Sequence, residues 1–205
     1  MEIFSDIKKA LTKKRNKPRL ILALYARPKH PNAPHYALLV TPNIKPERKL
    51  AVEPEPIPAT KYHIKNTIQK IKNVVCQPWR FERVDVPDLD RDHNILVCAV
   101  IAKVLSTTKL NQIMAEIYIY QKDDPIQFKA RDFDCKMWCH DAYDELQKSG
   151  VIVGLDWRTA EGGTRAVLNQ KHGQGQWDSA ITGKGRNTPW VPIVDLLGGT
   201  LIRGR

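Results

Sequence analysis

Apolar positions fall in short blocks along the first half of this chain and at helical spacing along much of the second. Arg19–Tyr25, RLILALY, is a continuous apolar run bounded by Pro18 and Pro28, which predicts a buried strand. His35–Thr41, HYALLVT, is mostly apolar on both period-two faces, His35/Ala37/Leu39 and Tyr36/Leu38/Val40, and predicts a strand covered on both sides. Thr60–Thr67 predicts another strand. Tyr62, Ile64 and Asn66 share one of its faces; Lys61, His63 and Lys65 share the other, a pattern that reads as solvated. Trp79–Val86 alternates as a strand does, and Asn94–Val104 is strongly apolar.

The period then changes. Lys109–Ile117 predicts a helix, and Asp134–Ser149 carries the clearest helical pattern. Its apolar stripe is Phe133, Met137, Trp138, Ala142, Tyr143 and Leu146. Asp132 or Asp134 supplies an N-cap, Lys148 complements the C-terminal dipole and Gly150 is the stop. Another helix is expected within residues 156–171, with Lys171 and His172 at the surface, and Trp190–Leu197 is a closing apolar segment. Proline-rich loops are expected at Pro28–Pro34 and Pro42–Pro58, and a turn-rich loop at residues 173–187. Near the start, Ile3, Phe4, Ile7 and Leu11 have the spacing of a short amphipathic helix or arm. Strands followed by helices predict an α+β fold, an antiparallel β-sheet packed against helices on one side. The expected organisation is a basic N-terminal arm over residues 1–17 and a single α+β domain over residues 18–205.

Composition narrows the class. The 205 residues are 42% hydrophobic and 27% charged, which is globular. No apolar run approaches the ~18 residues of a membrane-spanning helix, and the N-terminus lacks the pattern of a secretory signal. Four cysteines without a Cys-x-x-Cys pair suit a reducing compartment, so a cytoplasmic location is expected. The net charge is +11, but residues 1–80 alone carry 17 Lys/Arg against 5 Asp/Glu. Much of that excess is the cluster Lys8, Lys9, Lys13, Lys14, Arg15, Lys17 and Arg19. No zinc-finger, RRM or KH signature accompanies it, so a nucleic-acid partner is not expected. The arm reads as solvated, with weak contact to an acidic surface as its most ambitious role.

Cys135 carries the strongest candidate chemistry. At the first turn of the best helix, backbone N–H groups and the helix dipole favour a thiolate, and Asp134 beside it opposes one. His35 and His63 lie upstream on strands. A cysteine with an imidazole base supports acyl transfer, with the amides around Cys135 as an oxyanion hole. By position alone, a buried structural cysteine is the commoner outcome. Cys135 and Cys139 are one turn apart, but no further ligands stand at metal-binding spacing, so neither metal nor cofactor is expected. Cys76 and Cys98 read as buried small hydrophobes. The glycines match neither a P-loop nor a dinucleotide fingerprint.

The order of these motifs carries a resemblance: PHYALLV, then TKYHIKNT, then DFDCKMWCHDAYDEL. It resembles the circularly permuted NlpC/P60, or LRAT-like, branch of the papain superfamily, in which the cysteine helix follows the sheet. The wider pattern from ARPKHPNAPHYALLV to GQW is also similar to a family of uncharacterised fungal proteins. The first resemblance implies a permuted papain-like fold with Cys135 as nucleophile, His35 as base and His63, or failing it Asn66, orienting the imidazole. Tyr36, Tyr62, Asn66 and Trp138 would then contact a small-molecule, lipid or peptide substrate. The function so implied is a thiol-dependent hydrolase or acyltransferase acting on an amide, ester or lipid. Two alternatives stay open: a non-hydrolytic cyclase or isomerase of fungal secondary metabolism using the same pocket, and an inactive basic binding module.

Overall fold

The computed structural model describes residues 16–27, 33–44, 55–121, 132–176, 188 and 190–203. The strand built from RLILALY, β1 (Arg19–Tyr25), lies inside an eight-stranded sheet, and Leu20 through Leu24 are fully buried. It pairs antiparallel on one side with β2 (His35–Thr41) and on the other with β7 (Ile95–Val104). Beyond β2 come β3 (Ala59–Lys65) and β6 (Arg80–Val86). The far edge of β7 takes two short strands, β8 (Ile152–Gly154) and β9 (Ile193–Asp195), and β9 in turn pairs with β10 (Thr200–Arg203). Only the β7–β9 pairing is parallel among the described strands, so the sheet is mostly antiparallel and the fold is α+β.

Alternation along β1 sorts its side chains between two cores. Leu20, Leu22 and Leu24 join Tyr36, Leu38, Trp138, Tyr143 and Leu146 on one face. Three helices are described: α1 (Thr107–Glu116), α2 (Cys135–Lys148) and α3 (Trp157–Gly173). The apolar stripes of all three lie in this core. Ile21, Ala23 and Tyr25 join Leu39, Leu89, Cys98, Val100 and Val191 on the other face, among residues of connecting segments. The dual burial of β1 and β2 follows from their two apolar faces.

Helix α2 begins where its cap dictates. Asp134 is extended and its carboxylate accepts the Met137 N–H at 2.8 Å. Asp156 caps α3 in the same way through Thr159. In α3, Ala160, Thr164, Leu168 and Lys171 are buried at i, i+4, i+8 and i+11. Lys171 is therefore on the buried stripe and not, as expected, at the surface.

Three departures from the sequence reading concern short pieces. Residues after β3 form a hairpin, β4 (Gln69–Ile71) and β5 (Val74–Cys76), on which Cys76 is only half-buried. Neither β8 nor β10 was expected, because three or four residues are too few to display a period. The expected N-terminal helix, most of the proline-rich loops and the loop from Trp177 to Asn187 lie outside the described residues.

Gly154 shows how closely β8 approaches β7. A Cβ there would stand 2.2 Å from the Ile101 carbonyl oxygen. Gly154→Ala is expected to cost about 1–3 kcal/mol. Gly162→Ala, exposed within α3 with open space around it, should stabilise by about 0.5–1 kcal/mol. Urea midpoints of the two variants moving in opposite directions check the expectation.

Candidate functional site

Strands β2 and β3 are paired only over Leu38–Val40 and Thr60–Tyr62. Their remaining ends, 35–37 and 63–65, are not joined to each other, although β2 continues on β1 and β3 on β6. The N-terminus of α2 meets the sheet at this opening. The Tyr36 backbone N–H donates to Cys135 Sγ at 3.4 Å. An amide freed from the β2–β3 ladder is thus satisfied by the thiol.

The two histidines meet at the same opening. His35 Nε2 and His63 Nδ1 are 2.9 Å apart, with the rings edge to face. His63 is buried, not solvated as the lysine-rich alternation suggested, because the His35 ring and the neighbouring strand cover it. Across the β3–β6 register His63 pairs with Glu82, whose Oε2 lies 3.5 Å from His63 Nε2. The other carboxylate oxygen holds Lys65 Nζ at 2.6 Å. Tyr25 packs edge-on against His35, under Lys61 Nζ at 4.9 Å from its ring centre. Among the described residues the Tyr25 hydroxyl is buried without a hydrogen-bond partner.

Burial and surrounding cations make both imidazoles poor proton acceptors at rest. His35 is lowered to about 3, by burial first and then by His63, Arg27 and Lys61. His63 is lowered to about 4, by burial and then by Lys61 and Lys65. Cys135 moves opposite to the expectation from its helix position. Burial pushes its thiol up, the Tyr36 amide pulls it down, Asp134 adds to the rise and Arg27 opposes it. The resting site therefore holds a neutral thiol and two neutral imidazoles. Cys139, fully buried one turn on, is raised further by burial and by Cys135.

Cys135 belongs to the helix-side core, whereas His35 packs on Tyr25 of the other core, so the thiol and the histidine pair reach the opening from opposite faces of the sheet. No hydrogen bond joins the thiol to either imidazole among the described residues; the link runs through the Tyr36 amide, adjacent to His35 in the chain. The Tyr36 side chain turns the other way. Its hydroxyl donates to Glu161 Oε1 at 2.8 Å and accepts from Arg165 Nη1 at 3.3 Å, while Lys136 Nζ holds the same Glu161 oxygen at 2.8 Å. Tyr62 and Trp138 enter the helix-side core: Tyr62 bonds Asn111 and stacks on Phe81, and Trp138 is fully buried against Phe81. Asn66 follows the end of β3, half-buried. Among the described residues no cluster of three His, Cys, Asp or Glu could hold a metal ion. Glu82 and Tyr25 escaped the sequence reading, because only strand pairing brings them to the histidines; Lys61 was already on the His63 face by alternation.

The depressed histidines set a sign for stability against pH. Unfolded histidines bind protons near 6.5, whereas the folded pair resists them down to about 4 and 3. The unfolded state therefore holds more protons between these values, and stability falls as pH falls through the window. Each histidine contributes a limiting slope of about 1.4 kcal/mol per pH unit. Urea unfolding between pH 6.5 and 5, above the titration of most carboxylates, is expected to show this slope, and it should flatten in the His35→Ala/His63→Ala variant.

Among the described residues no helix is long and apolar enough to cross a membrane. No curated protein and no solved structure matches the chain. One family model does, over residues 17–201, a span that takes in all three helices, every described strand except the last two residues of β10, and Cys135, His35 and His63. The chain belongs to that family, described as a family of unknown function (DUF6914).

Proposed function

We propose that the chain is a thiol-dependent acyl-transfer enzyme of permuted papain-like fold, hydrolysing or transferring the acyl group of an amide, ester or lipid. The observation that carries this reading is the His35–His63 hydrogen bond at the sheet opening into which α2 delivers Cys135.

In this reading the His63 proton is on Nε2, which faces Glu82 Oε2 at 3.5 Å without a hydrogen bond among the described residues. In that tautomer His63 Nδ1 accepts and His35 Nε2 donates the 2.9 Å bond, and His35 Nδ1 is the atom that would take the thiol proton. At rest His35 is neutral, as a base must be, while its burial makes the proton transfer costly. Cys135 Sγ bonds the acyl carbon as its proton passes to His35 Nδ1. The alcohol or amine leaves with that proton, and a thioester remains. Water, or a second nucleophile, gives a proton to His35 and bonds the acyl carbon, and the returned proton restores the thiol. The Cys135 environment adds a backbone amide, that of Tyr36, already directed at the sulfur.

The test is intact-mass analysis after mixing the full chain with activated esters of graded acyl length. One acyl group is expected on Cys135 and none on Cys76, Cys98 or Cys139. Cys135→Ala should abolish acylation, His35→Ala should slow it by about 10²–10⁴-fold, and Glu82→Gln should slow it by a smaller factor. Turnover that survives Cys135→Ala, or acylation confined to other cysteines, would overturn the reading.

A further inference from the structure

The β4–β5 hairpin is unlike the rest of the surface. Ile68, Val74 and Val75 are 68%, 65% and 69% exposed, the largest exposures among the described large apolar side chains. The strands are joined by Lys72 and Asn73, both at positive φ, as a two-residue turn with matching twist requires. Val74 and Val75 are adjacent in a strand, so they point to opposite faces of the ribbon. Lys70 stands across from Val75, and Lys70 and Lys72 are both exposed. No Asp or Glu occurs between Glu55 and Glu82, while Lys61, Lys65, Lys70, Lys72 and Arg80 do.

We infer that this hairpin docks the chain on an anionic lipid surface, with Ile68, Val74 and Val75 entering the interface and Lys70 and Lys72 meeting the headgroups. The charge pattern specifies the partner: cations at the tip with no acid to offset them match an anionic surface. The apolar pattern favours the same partner. A flat protein surface covers one face of a ribbon, whereas a lipid interface surrounds both. Residues 68–76 contain no aromatic side chain on which a nucleobase would stack. The hairpin also emerges beside the candidate site. It fills the connection after the Lys65–Arg80 pair that ends the β3–β6 ladder. Trp79 at its root packs edge to face on Phe133, two residues before Cys135. Docking there would turn the sheet opening toward the membrane. The inference stands on the hairpin alone and requires no turnover.

Sedimentation of the full chain with phosphatidylcholine vesicles, with and without phosphatidylserine, tests it. Binding is expected only with phosphatidylserine and should weaken with added salt. Val74→Ser/Val75→Ser should weaken it by about tenfold or more, and Lys70→Gln/Lys72→Gln by about fivefold per lysine at low salt. All four side chains are exposed, so melting temperatures should stay at the wild-type value, which separates lost docking from lost folding. Three results would overturn the inference: no binding to anionic vesicles; binding that both hairpin variants retain in full, which would assign it to other basic residues; and retention by a single-stranded oligonucleotide without vesicle binding.

Discussion

The backbone amide of Tyr36 has to find a partner, and the site is built around the one it finds. β2 is held along its whole length by β1, but β3 leaves it beyond Leu38. A buried N–H left open by that divergence would be costly. The Cys135 sulfur takes the bond, and so ties the first turn of α2 to the strand that carries His35. The Asp134 cap sets where α2 starts and thereby which side chain arrives at the opening. On the far side of Tyr36, its hydroxyl bonds Glu161 and Arg165 while Lys136 holds the same Glu161 oxygen, which secures the same strand to α2 and α3.

Electrostatics at the opening follow from which groups the fold buries together. Two imidazoles share a hydrogen bond among lysines and under cover, so a proton on either is unwelcome. The thiol is buried as well, and desolvation outweighs the help it receives from the Tyr36 amide. Thiol and imidazoles are thus all neutral at rest. Glu82 is the acid beside the histidine pair: one of its oxygens holds Lys65 and the other lies 3.5 Å from His63 Nε2.

The strands β1, β2, β3, β6 and β7 and the three helices were legible in the sequence because each is long enough to show its period and most are bounded by a cap or a proline. The α2 start was readable to within about a residue or two, with Asp132 and Asp134 both open as caps, and the structure selects Asp134. The hairpin and the strands β8 and β10 were not, since four residues or fewer carry no period and their pairing partners lie far along the chain. Lys171 misled because its charge argued for solvent, whereas its place on the α3 stripe decided for burial.

The sequence by itself determined which residue types were present for chemistry: one cysteine at a capped helix start and histidines on two early strands. Whether they would meet was a question of pairing, because alternation states which side of a strand a residue takes and says nothing of where two strands part. Only the tertiary structure decided that β2 and β3 separate at His35 and His63, and that Glu82 is registered opposite His63. Only it decided that burial, acting on thiol and imidazoles alike, overrides the helix dipole in setting their charge. Local patterns record short-range backbone preference; register, desolvation and cross-strand neighbours arise from contacts between residues distant in the chain, and those exist only once the sheet has formed.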